Sequence, residues 1–141
     1  MERDCPDLDL TLWLHVSLYE GLPVGARFSY DTARPFEVNV DFSTAAGGAV
    51  TWVLSRELLM HGLVVPSGEG DIRVFPPCRH HGGQHLFVLL RGRIGEALLE
   101  IDCQPLQAWL VRTLEIVAFG AESESFDWDG SLERVLAEWS W

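Results

Sequence analysis

The stretch "LDLTLWLHVSL", Leu8 to Leu18, places an apolar residue at every even position: Leu8, Leu10, Leu12, Leu14, Val16 and Leu18. Between them stand Asp9, Thr11, Trp13, His15 and Ser17. A period of two sustained over this length predicts a long strand with one buried face and one open face. Trp13 is the exception, a large aromatic on the face that is otherwise polar.

Downstream, Gly21, Pro23 and Gly25 read as a turn, followed by shorter strand patterns over Ala26–Tyr30, Phe36–Phe42 and Ala49–Leu54. The first half therefore reads as an antiparallel meander. Ser55 is placed to cap a short helix, with Glu57 in its first turn and His61-Gly62 as its exit, Gly62 serving as C-cap. After a loop containing Pro66, Gly68 and Gly70, alternation resumes at Asp71–Phe75, His85–Arg91 and Gly95–Ile101. Pro105 marks the start of a second helix whose stripe is Leu106, Trp109, Leu110, Thr113, Leu114 and Val117. A terminal helix opens at Asp129 or Ser131, with Leu132, Val135, Leu136 and Trp139 at helical spacing. The order is four strands and a helix, three strands and a longer helix, then one more helix. The fold class is α+β: a single domain with mostly antiparallel curved sheet and segregated helices.

A chain of 141 residues with 48% hydrophobic content holds one ordinary core. Its formal net charge is -11, a surface that repels phosphate backbones and makes nucleic acid an unfavoured partner. All ten basic residues are arginine, as expected of a GC-rich genome. The acidic start has no leader-like pattern, and no apolar run is long enough to span a bilayer, so a cytoplasmic protein without membrane insertion is expected. Cys5, Cys78 and Cys103 are few, odd in number and widely spaced, which predicts reduced thiols.

Cys78, His80, His81 and His85 in "PPCRHHGGQH" are zinc-ligand types. Their spacing suits a polar hairpin loop better, because Gly82-Gly83 divides the histidines and both flanks read as strands. A zinc site there is the alternative reading, and no cofactor is expected. Cys103 precedes a helix, where a thiol pKa can fall, yet it continues the strand pattern of Ile101, so inert packing is the reading. No catalytic motif is present. Asp71 and Arg73 share a strand face, and Arg56-Glu57 opens a helix; fold-fixing or surface ion pairs account for both. Trp13, Trp139 and Trp141 exceed what a small core needs and are candidates for partner contacts.

"LPVGARFSYDTARPFEVNVDF", "WVLSRELLMHGLVVPSGEGDIRVFP", "GEALLE" and "FDWDGSLERVL" together resemble the SsgA-like proteins of actinobacterial sporulation and cell division. The resemblance runs from about Leu8 to Leu136 and is most specific from Trp52 to Pro76. It implies one SsgA-like domain over 1–141, with 1–7 flexible and 129–141 as terminal helix and tail. It further implies a fold of two strand-helix repeats similar to the whirly single-strand nucleic-acid binders, assembled as a homo-oligomer, a trimer by preference. The implied function is non-enzymatic: protein contacts at the division septum with FtsZ, or with another SsgA-like protein. A single-strand nucleic-acid binder is the alternative from the fold. Within the motif, Trp52 reads as a core anchor, Gly62 as a helix cap, Pro66 as loop rigidity and Gly70 as a turn. Arg56, Glu57, Asp71 and Arg73 either fix the helix on the sheet or face a partner, the first being preferred.

Overall fold

A computed structural model describes residues 5–15, 21–43, 48–77, 83–92 and 95–122. The elements run β1 (Leu8–His15), β2 (Gly21–Ser29), β3 (Glu37–Ser43), β4 (Ala49–Ser55), α1 (Arg56–Gly62), β5 (Ile72–Phe75), β6 (His85–Gly92), β7 (Gly95–Asp102) and α2 (Cys103–Ile116). All seven strands form one antiparallel sheet in the order β4-β3-β2-β1-β7-β6-β5. The four-strand-and-helix, three-strand-and-helix order expected from periodicity is therefore present. The expected terminal helix from Asp129 or Ser131 lies outside the described residues.

The central strand explains the architecture. Leu12 is buried, while Thr11 and Trp13 on either side of it are exposed. The register carries this alternation to the neighbours, setting Leu12 opposite Val24 and Leu14 opposite Leu99. Val38, Val40, Leu86, Val88 and Ile101 complete the buried face. Helix α2 lays Leu106, Trp109 and Leu110 on that face, and the Trp109 ring meets Phe28 at 6.0 Å between centroids. Its indole also donates to the Pro6 carbonyl at 2.7 Å, which holds the first described residues beside a buried Cys5.

Three local expectations are corrected. Gly21, Pro23 and Gly25 lie within β2, not in a turn before it. The last β2–β3 pair is Gly25 with Ser43, so Pro23 pairs only with β1, through Trp13. A proline is tolerated where one side of its strand has no neighbour. Helix α2 begins at Cys103, two positions before Pro105, because the Asp102 carboxylate caps it by accepting from the Gln104 N–H at 3.3 Å. Cys103 is thus the first helical residue and does not extend the strand of Ile101.

Gly62 supplies the third correction. It is the last residue of α1, and the C-cap is Leu63 in ordinary right-handed conformation. A Cβ on Gly62 would collide with Val74 Cγ1. Glycine is required there by the close approach of α1 to β5, not by a left-handed backbone. At the other end of α1 the Ser55 hydroxyl accepts from the Leu58 N–H at 3.1 Å, and Glu57 lies in the first turn, as the sequence predicts.

Candidate functional site

The Trp52 to Pro76 segment spans β4, α1 and β5, and so links the two edge strands of the sheet. Arg56 is the least expected of its residues. The first residue of α1, it is only 1% exposed, buried among apolar neighbours. Its guanidinium lies 5.1 Å from the Tyr30 ring centroid and 5.4 Å from that of Phe119. Nη1 donates to the Thr113 carbonyl at 3.2 Å and the Val117 carbonyl at 2.7 Å. Nη2 sits 3.5 Å from Glu122 Oε1, close enough for ion pairing but without an aligned hydrogen bond. Arg56 thereby ties the start of α1 to the end of α2, where unsatisfied carbonyls and the negative end of the helix dipole favour a cation.

Tyr30 shares this pocket. Burial pushes its hydroxyl up to about 12, outweighing the opposing influence of the Arg56 charge. The phenol stays protonated and donates to the Pro35 carbonyl at 2.8 Å.

The other motif residues separate into different surroundings. Glu57 is exposed and lies 3.9 Å from His61 one turn on. Pro66, Gly70, Asp71 and Arg73 are exposed, and Gly70 has a φ of 78° in the turn before β5. Among the described residues Asp71 and Arg73 form no ion pair with each other; the Asp71 carbonyl instead accepts from the Arg91 N–H at 2.8 Å. Trp52 is half-buried and packs at the margin of the core. With Leu14, Val24, Phe42, Val50 and Leu99, it lines a cavity of about 390 Å³ inside the sheet. Since β4 and β6 both contribute to this cavity yet are not neighbours in the sheet, the sheet must curl.

The outer face carries a second apolar feature. The registers align Phe75, Phe87, Glu100, Trp13 and Pro23 in one row across five strands. Leu89, Leu98 and His15 form the row beside it. Trp13 keeps 46% of its surface exposed, and His15 Nε2 lies 3.5 Å from Glu100 Oε2 within the patch. The sequence singled out Trp13 alone. Leu86 to Leu90, apolar at five successive positions, carried the rest of the signal, since such a run has apolar side chains on both faces.

His85 is exposed at the start of β6; Cys78, His80, His81, Trp139 and Trp141 lie outside the described residues. Among the described residues no group of three or more His, Cys, Asp or Glu side chains is placed to hold a metal ion. Burial raises the thiol pKa of both Cys5 and Cys103, the reverse of what an activated nucleophile needs.

By architecture this is a curled antiparallel sheet closed by two helices in successive strand-helix repeats. Solved structures share it. One, from work titled "Mutations in SsgB correlate to longitudinal cell division during sporulation of Streptomyces coelicolor", superposes with a TM-score of 0.78 at 42% identity, over 85% of this chain and 94% of that one. An SsgA-like sporulation-specific cell division protein from Thermobifida fusca gives 0.79 at 28% identity, over 95% and 98%. The sporulation-specific cell division protein SsgB of Streptomyces coelicolor is 44% identical over 130 residues, 92% of this chain and 94% of that protein. SsgB of Salinispora tropica is 42% identical over 118 residues, 82% of each. A family model described as "Streptomyces sporulation and cell division protein, SsgA" matches residues 24–122. The chain belongs to the SsgA family.

Proposed function

We propose that this protein is a non-enzymatic adaptor of sporulation-specific cell division, acting through protein contacts that place or time the septum. The observation that carries the reading is the 44% identity to Streptomyces coelicolor SsgB across nearly the whole of both chains. The outer-face row centred on Trp13 supports it, because partly exposed aromatics on a rigid sheet are what a protein contact uses. The protein works as a homo-oligomer, a trimer by preference, at the septum, and recruits FtsZ or assists another SsgA-like protein in doing so. Among the described residues no helix is long and apolar enough to cross a membrane.

Expression in a sporulating actinobacterium whose SsgB-type gene is deleted tests the reading. A fluorescent fusion is expected to concentrate at division septa and restore septation. Diffuse fluorescence together with no restoration would overturn it.

A further inference from the structure

The two edges of the sheet are finished differently. At the β5 edge, Val74 and Ser67 exchange backbone hydrogen bonds at 2.8 and 2.9 Å, closing that four-residue strand from outside. The β4 edge has no such cover among the described residues. The Arg56 N–H donates to the Phe36 carbonyl at 2.9 Å, and the register carries this parity on through the pairs Leu54–Val38, Trp52–Val40 and Val50–Phe42. In an antiparallel pair the residues between such positions turn both backbone groups the other way. Thr51 and Val53 therefore direct their N–H and C=O out of the sheet.

Open edges are ordinarily guarded by charge, proline or a bulge. Strand β4 has none of these. Its register with β3 runs unbroken from Ser55 to Ala49, it contains no proline, and it is the one described strand without a charged residue. Its two faces specify what can pair there. Inward, Val50 and Trp52 line the cavity, and Val50 keeps 52% of its surface exposed. Outward, the Thr51 hydroxyl donates to Asp41 Oδ1 at 2.6 Å, while Arg27, opposite Asp41 in the register, is engaged by Asp9 at 2.8 Å. An incoming strand alternates its side chains between these faces, so every second residue meets the open apolar lining. The others stand two strand spacings, about 10 Å, from Asp41, a span that arginine and aspartate side chains bridge. A chain with a formal net charge of -11 is complementary to a basic segment.

We propose that the free edge of β4 takes an extended segment of a partner protein, paired antiparallel through the backbone of Thr51 and Val53. Its apolar residues turn inward beside Val50 and Trp52, and its basic residues turn outward toward Asp41. Main-chain hydrogen bonds supply the affinity and the alternating side chains the selectivity. The inference goes beyond the adaptor reading and does not rest on it, since strand addition at β4 is measured apart from septation.

A capped, fluorophore-bearing peptide of alternating arginine and valine, seven residues long to match β4, tests it on the full chain by anisotropy. Antiparallel pairing aims the N–H groups of the arginines, which face outward like Thr51, at β4 and those of the valines at solvent. N-methylation of the two central arginines is expected to weaken binding by at least about tenfold, and N-methylation of the valines to change it by less than about twofold. Exchanging the arginines for glutamates is expected to weaken it by at least about tenfold. Thr51→Pro removes an N–H that β3 does not use and is expected to match the loss. Should that variant unfold, the N-methylated peptides give the answer on the unaltered protein. No binding of the parent peptide, a loss that follows the valine set or both sets alike, or equal binding of the glutamate peptide overturns the proposal. A folded Thr51→Pro protein of lower mass in sedimentation than the parent would assign the edge to a second copy, and overturns it as well.

Discussion

The Arg56 guanidinium donates to the carbonyl of Val117 across 61 residues of sequence, at 2.7 Å. This contact fastens the start of the helix of one strand-helix repeat to the end of the helix of the other. A cation so deeply buried is held by two carbonyls, two ring faces and the nearby Glu122 carboxylate, with Nη2 itself left without a hydrogen bond. Arg56→Ala removes the charge and leaves the ring of acceptors unmatched. The expected loss is about 3–5 kcal/mol of unfolding free energy, the range for breaking a buried charged pair. Arg56→Lys retains the charge but not the planar fork, so an intermediate loss is expected. Urea denaturation of the three proteins checks the order, and an Arg56→Ala protein as stable as the parent would refute it.

Gly62 and Val74 make a coupled prediction. Gly62→Ala forces a methyl into the space of Val74 Cγ1, and overpacking of this kind costs about 1–3 kcal/mol. Val74→Ala alone opens a cavity in a fully buried site and is also destabilising. Together the two changes are expected to cost less than the sum of their separate effects, because the second removes Cγ1, the nearest atom the first strikes, although Val74 Cβ at 2.6 Å remains and keeps the relief partial. Denaturation of all four members of the cycle measures this coupling. Strict additivity would mean that Gly62 is needed for its backbone and not for its lack of a side chain.

Much of the fold was legible because one face of nearly every strand is apolar, as at Leu8 to Leu14, and because Ser55 announces α1 with its own side chain. What was illegible depended on distant partners. Glycine and proline at 21, 23 and 25 signal a turn unless β3 is known to end opposite Gly25. Gly62 looks like a cap until Val74 is brought against it. For Arg56 the sequence offers a fold-fixing or a partner-facing role, and nothing local shows that α2 ends over it. Of the candidate contacts, Trp13 was legible as an apolar intruder in a polar alternation. Phe87 and Leu89 showed in the apolar run Leu86 to Leu90, but only the register sets them, with Leu98, beside Trp13.

Tyr30 gives the fold an alkaline limit. Its folded pKa of about 12 lies above the ordinary value of 10.0, with burial as the main cause. Between these values the unfolded chain loses the phenolic proton while the folded chain keeps it, so stability falls as pH rises. The contribution is fully present below pH 10 and is lost progressively toward 12. Ultraviolet titration of the folded protein is expected to show one of the two tyrosines ionising late. Tyr30→Phe removes that late step and, with the hydrogen bond to Pro35, about 1 kcal/mol of stability at neutral pH. A late step that persists in Tyr30→Phe would show that another group is responsible.

Trp13 separates contact from stability. Its ring stands on the outer face of the central strand, 46% exposed, while the core on the other face is filled by Leu12. Trp13→Ser therefore leaves the inner packing intact, and a change within about 0.5 kcal/mol is expected, as for exposed positions generally. Under the adaptor reading the same substitution removes the central aromatic of the contact row, where a few residues carry most of the binding energy. Septal concentration of a fluorescent fusion should then be lost. Val64→Ser, at a site 72% exposed and outside the row, should leave both stability and localisation unchanged. Thermal denaturation and imaging of the same two variants provide the comparison. If Trp13→Ser localises normally, the row is not the surface through which the protein reaches the septum. If it unfolds, the ring belongs to the core despite its exposure, and its place in the contact row fails on that ground instead.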